Sequence, residues 1–176
     1  RRLAFAVLMD RAANKTYEAL ADLSARRLES FKEVKGVQPA ILAEEFKVVP
    51  PLVRAHPKWQ EAMRRRGYHN FDEVMVDPWA PGIVPEAYKG KRVIRALSYY
   101  KAGSNNPYAR PIEGVAAIID MSGPRVVEVV DAPIVIVSPD PGAFDAAAGG
   151  APRPGLKPLE IVQSAGHSFE LKGREV

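Results

Sequence analysis

The sequence predicts an α+β protein in which helices pack on one face of a curled antiparallel sheet. Three observations carry this. Residues 3–35 and 74–137 hold apolar runs of strand length, and residues 40–67 between them recur at helical spacing. Pro, Gly and Asn stand where one pattern gives way to the next.

Leu3–Met9 is an apolar run of strand length. The preceding Arg1-Arg2 gives it the look of a signal peptide's start, but Asp10-Arg11 ends it early and no small-residue cleavage site follows. The chain lacks an initiator Met, so it is expected to begin within a larger gene product or after processing. Ala12-Ala13-Asn14-Lys15 is a turn, with Asn tolerating the backbone it needs. Tyr17–Leu23 places Tyr17, Ala19, Ala21 and Leu23 on one face, and Leu28–Val34 carries Leu28, Phe31 and Val34 among polar residues. Gly36 and Pro39 close this meander. Its apolar face has nothing within residues 3–35 to cover it, and such small units are marginal alone. A helix upstream or docking against later residues is expected, with aggregation or self-pairing if the face stays open.

Ile41, Leu42, Phe46 and Val49 recur near helical spacing until Pro50-Pro51, where the pattern breaks and Pro51 is expected to start a fresh helix. Pro57 repeats the device. Trp59, Ala62 and Met63 form an i, i+3, i+4 stripe that reads as the core face of a helix ending at Gly67. Arg64-Arg65-Arg66 then complement the helix C-terminus.

Strands return with Val74–Val76, Val93–Tyr100, Ile112–Met121 and Arg125–Val130, the last two joined by the hairpin signal Ser122-Gly123-Pro124. Ile134–Val137 is expected as a final strand. Residues 138–158 are rich in Pro and Gly and read as a linker. Leu159–Gln163 and Ser168–Leu171 are expected to be strands that begin something new.

A length of 176 residues fits one large or two small domains, and a hydrophobic content of 47% fits a packed core. No apolar run approaches the roughly 18 residues of a membrane-spanning helix, so no membrane partner is expected. The net charge of +4 is dispersed rather than gathered on one motif, which argues against nucleic acid. Cysteine is absent, which removes disulfides and thiolate chemistry and leans toward a cytoplasmic location.

Catalytic signatures are missing. His56, His69 and His167 do not pair at metal-binding spacing, and each reads as a capping or surface residue. No phosphate loop, dinucleotide fingerprint or nucleophile elbow is present. Asp77, Asp120 and Asp131 fall at strand ends, where acid/base catalysts can sit but where polar residues ordinarily stand, and the plain reading is preferred. Asp77-Pro78-Trp79-Ala80-Pro81-Gly82 stands apart: a large aromatic between two prolines on a stiff loop suits a pocket wall, or the plugging of a domain edge.

Several segments resemble copper amine oxidases in order and spacing. These are Gly36-Val37-Gln38-Pro39, Val76-Asp77-Pro78-Trp79, Arg95-Ala96-Leu97-Ser98-Tyr99-Tyr100 and Asn106-Pro107-Tyr108-Ala109-Arg110-Pro111-Ile112-Glu113-Gly114-Val115. The strands ending in Asp120 and Asp131, and Lys157-Pro158-Leu159-Glu160-Ile161 ahead of Ser168-Phe169, continue the likeness. Ser164-Ala165-Gly166-His167 departs from the family's Pro-Glu-Gly-Pro before Ser-Phe.

The resemblance implies two cystatin-like units, each a helix on a curled antiparallel sheet: a partial N2 domain at 1–39, a complete N3 domain at 40–137, and an approach to a catalytic domain at 138–176. It places the meander's missing helix upstream of Arg1. It implies a homodimeric parent enzyme that oxidises primary amines to aldehydes with copper and topaquinone, releasing ammonia and hydrogen peroxide. The Asn-Tyr-Asp/Glu motif that yields topaquinone is absent, since Asn70-Phe71-Asp72 lacks the Tyr, so the segment is expected to be inactive alone. Its partners would be its own catalytic domain, a second subunit and the amine. The same resemblance carries Phe46, Pro78 and Trp79 onto substrate-channel positions, with no catalytic, cofactor-binding or metal residue in the segment. The alternative is a stand-alone cystatin-like binding module.

Overall fold

The computed structural model of the chain describes residues 1–84, 86–170 and 172–173. Residues 1–143 form one compact unit and residues 144–176 a second.

The first unit opens with a three-stranded antiparallel meander, β1 (Leu3–Asp10), β2 (Lys15–Asp22) and β3 (Arg27–Val34). Its turns are made locally. Asp10 accepts from the Ala13 amide and Asn14 adopts φ 52°, while Asp22 accepts from the Ser24 and Ala25 amides. Register sets Tyr17, Ala19 and Ala21 of β2 on the face shared with Ala4, Ala6, Leu8, Leu28 and Phe31. Tyr17 stacks on Phe31 at 4.9 Å there, yet Leu8, Leu28 and Phe31 remain exposed. This is the open apolar face the sequence implies.

Two helices follow, α1 (Glu45–Arg54) and α2 (Pro57–Arg65). The break expected at Pro50-Pro51 does not occur, because both prolines lie inside α1. Two intrahelical hydrogen bonds are lost, but Val49 and Val53 are fully buried on either side and their packing outweighs local propensity. The second helix follows the sequence reading closely. Pro57 occupies the first turn, and Trp59, Ala62 and Met63 are completely buried. Gly67, at φ 85°, completes a Schellman end in which the Tyr68 amide donates to the Met63 carbonyl at 3.0 Å and the Gly67 amide to Arg64 at 2.9 Å.

Both helices cover one face of a four-stranded antiparallel sheet in simple chain order: β4 (Val74–Trp79), β5 (Val93–Tyr100), β6 (Pro111–Asp120) and β7 (Arg125–Asp131). The core joins Val49, Val53, Trp59, Ala62 and Met63 to Val74, Val76, Ile94, Ala96, Ala117 and Ile119. The architecture is therefore α+β, with two antiparallel sheets and few helices.

Two expectations about the later chain are corrected. Ile134–Val137 forms no strand: it lies between Pro133 and Pro139, and Ile134 and Ile136 are exposed, with no strand among the described residues paired to them. In the second unit, Leu159–Gln163 and residues 168–170 likewise form no strand, and Leu171 lies outside the described residues. Among the described residues of that unit the regular element is a single exposed turn, α3 (Ala146–Gly149), started by the Asp145 carboxylate accepting from the Ala148 amide.

Candidate functional site

The face of the four-stranded sheet opposite the helices is where the polar and aromatic groups gather. Alternation and register place Met75, Asp77 and Trp79 of β4 beside Arg95, Leu97 and Tyr99 of β5, and these beside Ala116 and Ile118 of β6 and Glu128 and Val130 of β7. A hollow of about 380 Å³ opens on this face, lined among others by Arg95, Leu97, Tyr99, Pro111, Ala116 and Val130.

Asp77 and Trp79 do not belong to a loop, as the sequence suggests, but end strand β4. Proline is tolerated there because β4 is an edge strand of the sheet. Pro78 is buried on the face of Val74 and Val76, whereas Trp79 points the other way and is 48% exposed. The remaining tryptophan, Trp59, is fully buried. Phe46, also 48% exposed, lies in the first turn of α1 on the helix side. Its neighbour Glu45 is bound to Arg92, three residues before the Arg95 that pairs with Trp79, so Phe46 sits at the same end of the sheet. Of the three channel residues suggested by resemblance, Pro78 and Trp79 thus leave the C-terminal end of β4 on opposite faces, and Phe46 lies on the helix side.

Asp77, read from the sequence as an ordinary strand-end acid, takes on a more specific place here. Its Oδ2 accepts from the Trp79 indole N–H at 2.7 Å and from the Tyr108 hydroxyl at 3.3 Å. Tyr108 in turn meets the edge of Tyr99, with centroids 5.1 Å apart. Burial first, then the Asp77 charge, raises the phenol of Tyr99; Tyr108 is raised by burial, the same charge and its hydrogen bond to Asp77. Asp120 and Asp131, the other strand-end acids, are neutralised by Arg125 and by Arg65 and Arg66. Asp77 has no cationic side chain within salt-bridge distance among the described residues.

A buried ion pair fixes this end of the sheet. Arg92 donates through Nε and Nη2 to the two carboxylate oxygens of Glu45, at 2.8 and 2.6 Å, and also to the carbonyls of Pro39 and Ala40. Glu45 accepts from the Leu42 amide as well, at 2.8 Å. Burial works to raise the Glu45 carboxyl, but the Arg92 and Leu42 hydrogen bonds and the charges of Arg92 and Arg11 outweigh it and hold the group below the usual carboxylate range. The segment joining the two sheets is thereby tied to both α1 and β5.

His56 stands at the N-cap position of α2 without a side-chain hydrogen bond to the helix, His69 lies just beyond that helix, and His167 lies near Gln163. Among the described residues no group of three or more His, Cys, Asp or Glu is placed to hold a metal ion. The donor set of these residues does not fit a three-histidine copper centre, and no described helix is long and apolar enough to cross a membrane.

Comparison with known proteins follows the same lines. The family described as copper amine oxidase, N3 domain, matches residues 44–147. The primary amine oxidase of Arthrobacter sp. (strain P1) is 34% identical over 99% of this chain and 27% of its own length. N-methylputrescine oxidase 1, peroxisomal, from Nicotiana tabacum is 37% identical over 81% of this chain and 19% of its own. Histamine oxidase from Arthrobacter globiformis is 30% identical over 99% of this chain and 26% of its own. The chain spans about a fifth to a quarter of the length of these curated relatives. Among solved structures, the copper-containing benzylamine oxidase from Hansenula polymorpha shares the fold with a TM-score of 0.58 at 20% identity, over 98% of this chain and 29% of that one.

Proposed function

Since the chain belongs to the copper amine oxidase family, through the N3 domain that residues 44–147 match, we propose that it is the accessory N2–N3 region of a primary-amine oxidase. In this reading residues 1–39 are part of a cystatin-like N2 unit, residues 40–137 a complete N3 unit, and residues 138–176 the approach to the catalytic domain. The parent is a homodimer that converts primary amines to aldehydes with release of ammonia and hydrogen peroxide. Copper and topaquinone, held outside these residues, supply the redox chemistry; the part played here is scaffold and substrate-channel wall.

The observation that carries the channel role is the placement of Trp79. A large indole is left half in solvent at the end of an edge strand, while Trp59 is wholly consumed by the core. Its orientation is not left to chance, because Asp77 fixes the indole N–H. In this reading Phe46 adds exposed apolar surface on the helix side, and the buried Pro78 stiffens the strand end behind Trp79. A rigid, broad apolar surface of this kind favours flat or hydrophobic amines over small ones.

The test is Trp79→Ala in the complete enzyme, with kcat/KM measured for benzylamine and methylamine. A change of about tenfold in their ratio is expected, the size of one lost aromatic contact of about 1.4 kcal/mol, with copper content unaltered. An unchanged ratio would reduce Trp79 to a structural residue.

A further inference from the structure

We propose that Pro141-Gly142 is a buckle that fastens the chain to the turn at residues 104–109 before it leaves the first unit, and that this buckle holds Tyr108 in place. The proposal goes beyond the channel-wall reading and concerns a mechanical coupling within the first unit, which ends at Ala143.

The start of the Pro- and Gly-rich stretch is not free. From Ser138 to Glu170 every residue is exposed except Gly142, which is buried. The Ser104 hydroxyl donates to the Pro141 carbonyl, and Asn106 Nδ2 donates to the Gly142 carbonyl at 3.1 Å. The strap is also shaped for this contact from within. The Asp140 amide donates to the Ser138 hydroxyl at 3.2 Å, and the Gly142 amide to the Asp140 carboxylate at 2.8 Å. Gly142 takes φ 63°, in the left-handed region, and a Cβ there would lie 2.1 Å from that of Ala109. Backbone and space both demand glycine.

The receiving turn is committed to the contact from its own side. Asn106 stands at the N-cap of the single 3₁₀ turn Pro107–Ala109, but its side chain makes no capping bond. The carboxamide is spent on Gly142 instead. The Ser104 hydroxyl accepts from the Asn106 amide at 3.0 Å while donating to Pro141, so one hydroxyl ties turn and strap together. A lone 3₁₀ turn is poorly held by its own hydrogen bonds. Tyr108, at its centre, is exposed and reaches Asp77 through one hydrogen bond of 3.3 Å. Opening the buckle frees Asn106 to cap the turn, which reorients Pro107–Ala109 and draws Tyr108 away from Asp77. Because such coupling is reciprocal, the course of the chain at Gly142 and the position of Tyr108 each bias the other.

The experiment compares the full chain with Gly142→Ala and Asp140→Ala, both altered on the strap and not on the turn. Gly149→Ala is the control, since a Cβ added there meets nothing within 4 Å. Amide relaxation by NMR reads the order parameter of residue 142. Chemical shifts read the Tyr108 amide and the Trp79 indole N–H, whose acceptor oxygen on Asp77 Tyr108 shares. In the unaltered chain and the control, residue 142 is expected near about 0.85, the value of rigid backbone. It is expected to fall below about 0.6 in Gly142→Ala and part of the way there in Asp140→Ala. The Tyr108 and Trp79 signals are expected to move in these two variants, while the buried Trp59 indole N–H, a reporter of the core, stays in place. A mobile residue 142 in the unaltered chain would overturn the proposal, as would a freed residue 142 with Tyr108 and Trp79 unmoved. Should Gly142→Ala disturb Trp59, Asp140→Ala, which changes an exposed side chain and adds no atoms, decides alone. No readout involves an amine, so the buckle stands or falls separately from the channel wall, which the amine ratio of Trp79→Ala decides.

Discussion

Replacing Glu45 with alanine is expected to destabilise the first unit by about 3–5 kcal/mol, the loss typical of breaking a buried ion pair by removing one partner. Glu45 is fully buried and the Arg92 side chain nearly so, and they share two hydrogen bonds. Without the carboxylate, Arg92 keeps only the Pro39 and Ala40 carbonyls and retains an uncompensated buried charge. The Leu42 amide loses its acceptor as well. Denaturant titration reads the change as a lower midpoint at unaltered slope. Replacing both partners with leucine and methionine is expected to recover part of the loss, because the stranded charge is gone. The recovery stays incomplete, since two carbonyls lose their donor. The pair also sets an acid limit. A carboxyl whose pKa is lowered on folding contributes stability that is complete above its unfolded pKa of about 4.3 and is lost as pH falls through its folded value. Stability therefore declines below about pH 5 in the unaltered chain, and the decline is shallower in Glu45→Gln.

Trp59→Ala is expected to lower stability by a similar amount, about 3–5 kcal/mol. The indole is completely buried, touches the edge of Phe71 at 5.5 Å, and donates to the Ser98 hydroxyl at 3.0 Å. Its removal leaves a cavity between α2 and the sheet and strands a buried hydroxyl on β5. Trp59→Phe keeps most of the volume and loses chiefly the hydrogen bond, so a smaller loss of about 1–3 kcal/mol is expected. Comparable losses from the two substitutions would show that the hydrogen bond, rather than the packing, dominates.

These two anchors show what was legible in the sequence. Trp59 was, because an i, i+3, i+4 stripe between Pro57 and Gly67 is a local pattern whose start, face and stop all lie within eleven residues. The two meanders were legible for the same reason, their turns being written in Asn14 and in Ser122-Gly123-Pro124. Glu45 was not, since its partner Arg92 is 47 positions away. Nor was the role of Asp77, because Tyr108 reaches it across 31 positions. A polar residue at a strand end carries no mark of whether an arginine will neutralise it, as at Asp120, or two aromatic donors will merely hold it. The sole available signal was the i, i+2 spacing of Asp77 and Trp79, which puts them on one face of any strand. The misreadings at Pro50-Pro51 and Ile134–Val137 arise from the same limit. One is a helix held together by burial of Val49 and Val53 despite its prolines, and the other is an apolar run without a neighbouring strand.

The division of labour proposed for the chain, framework and channel wall without a redox centre, is tested most directly by peroxide. The purified 176-residue chain, incubated with copper and then with benzylamine or methylamine, is predicted to release no hydrogen peroxide above the copper-only control. The complete enzyme treated identically is predicted to turn over. Sustained, amine-dependent peroxide release by these residues alone would contradict the account.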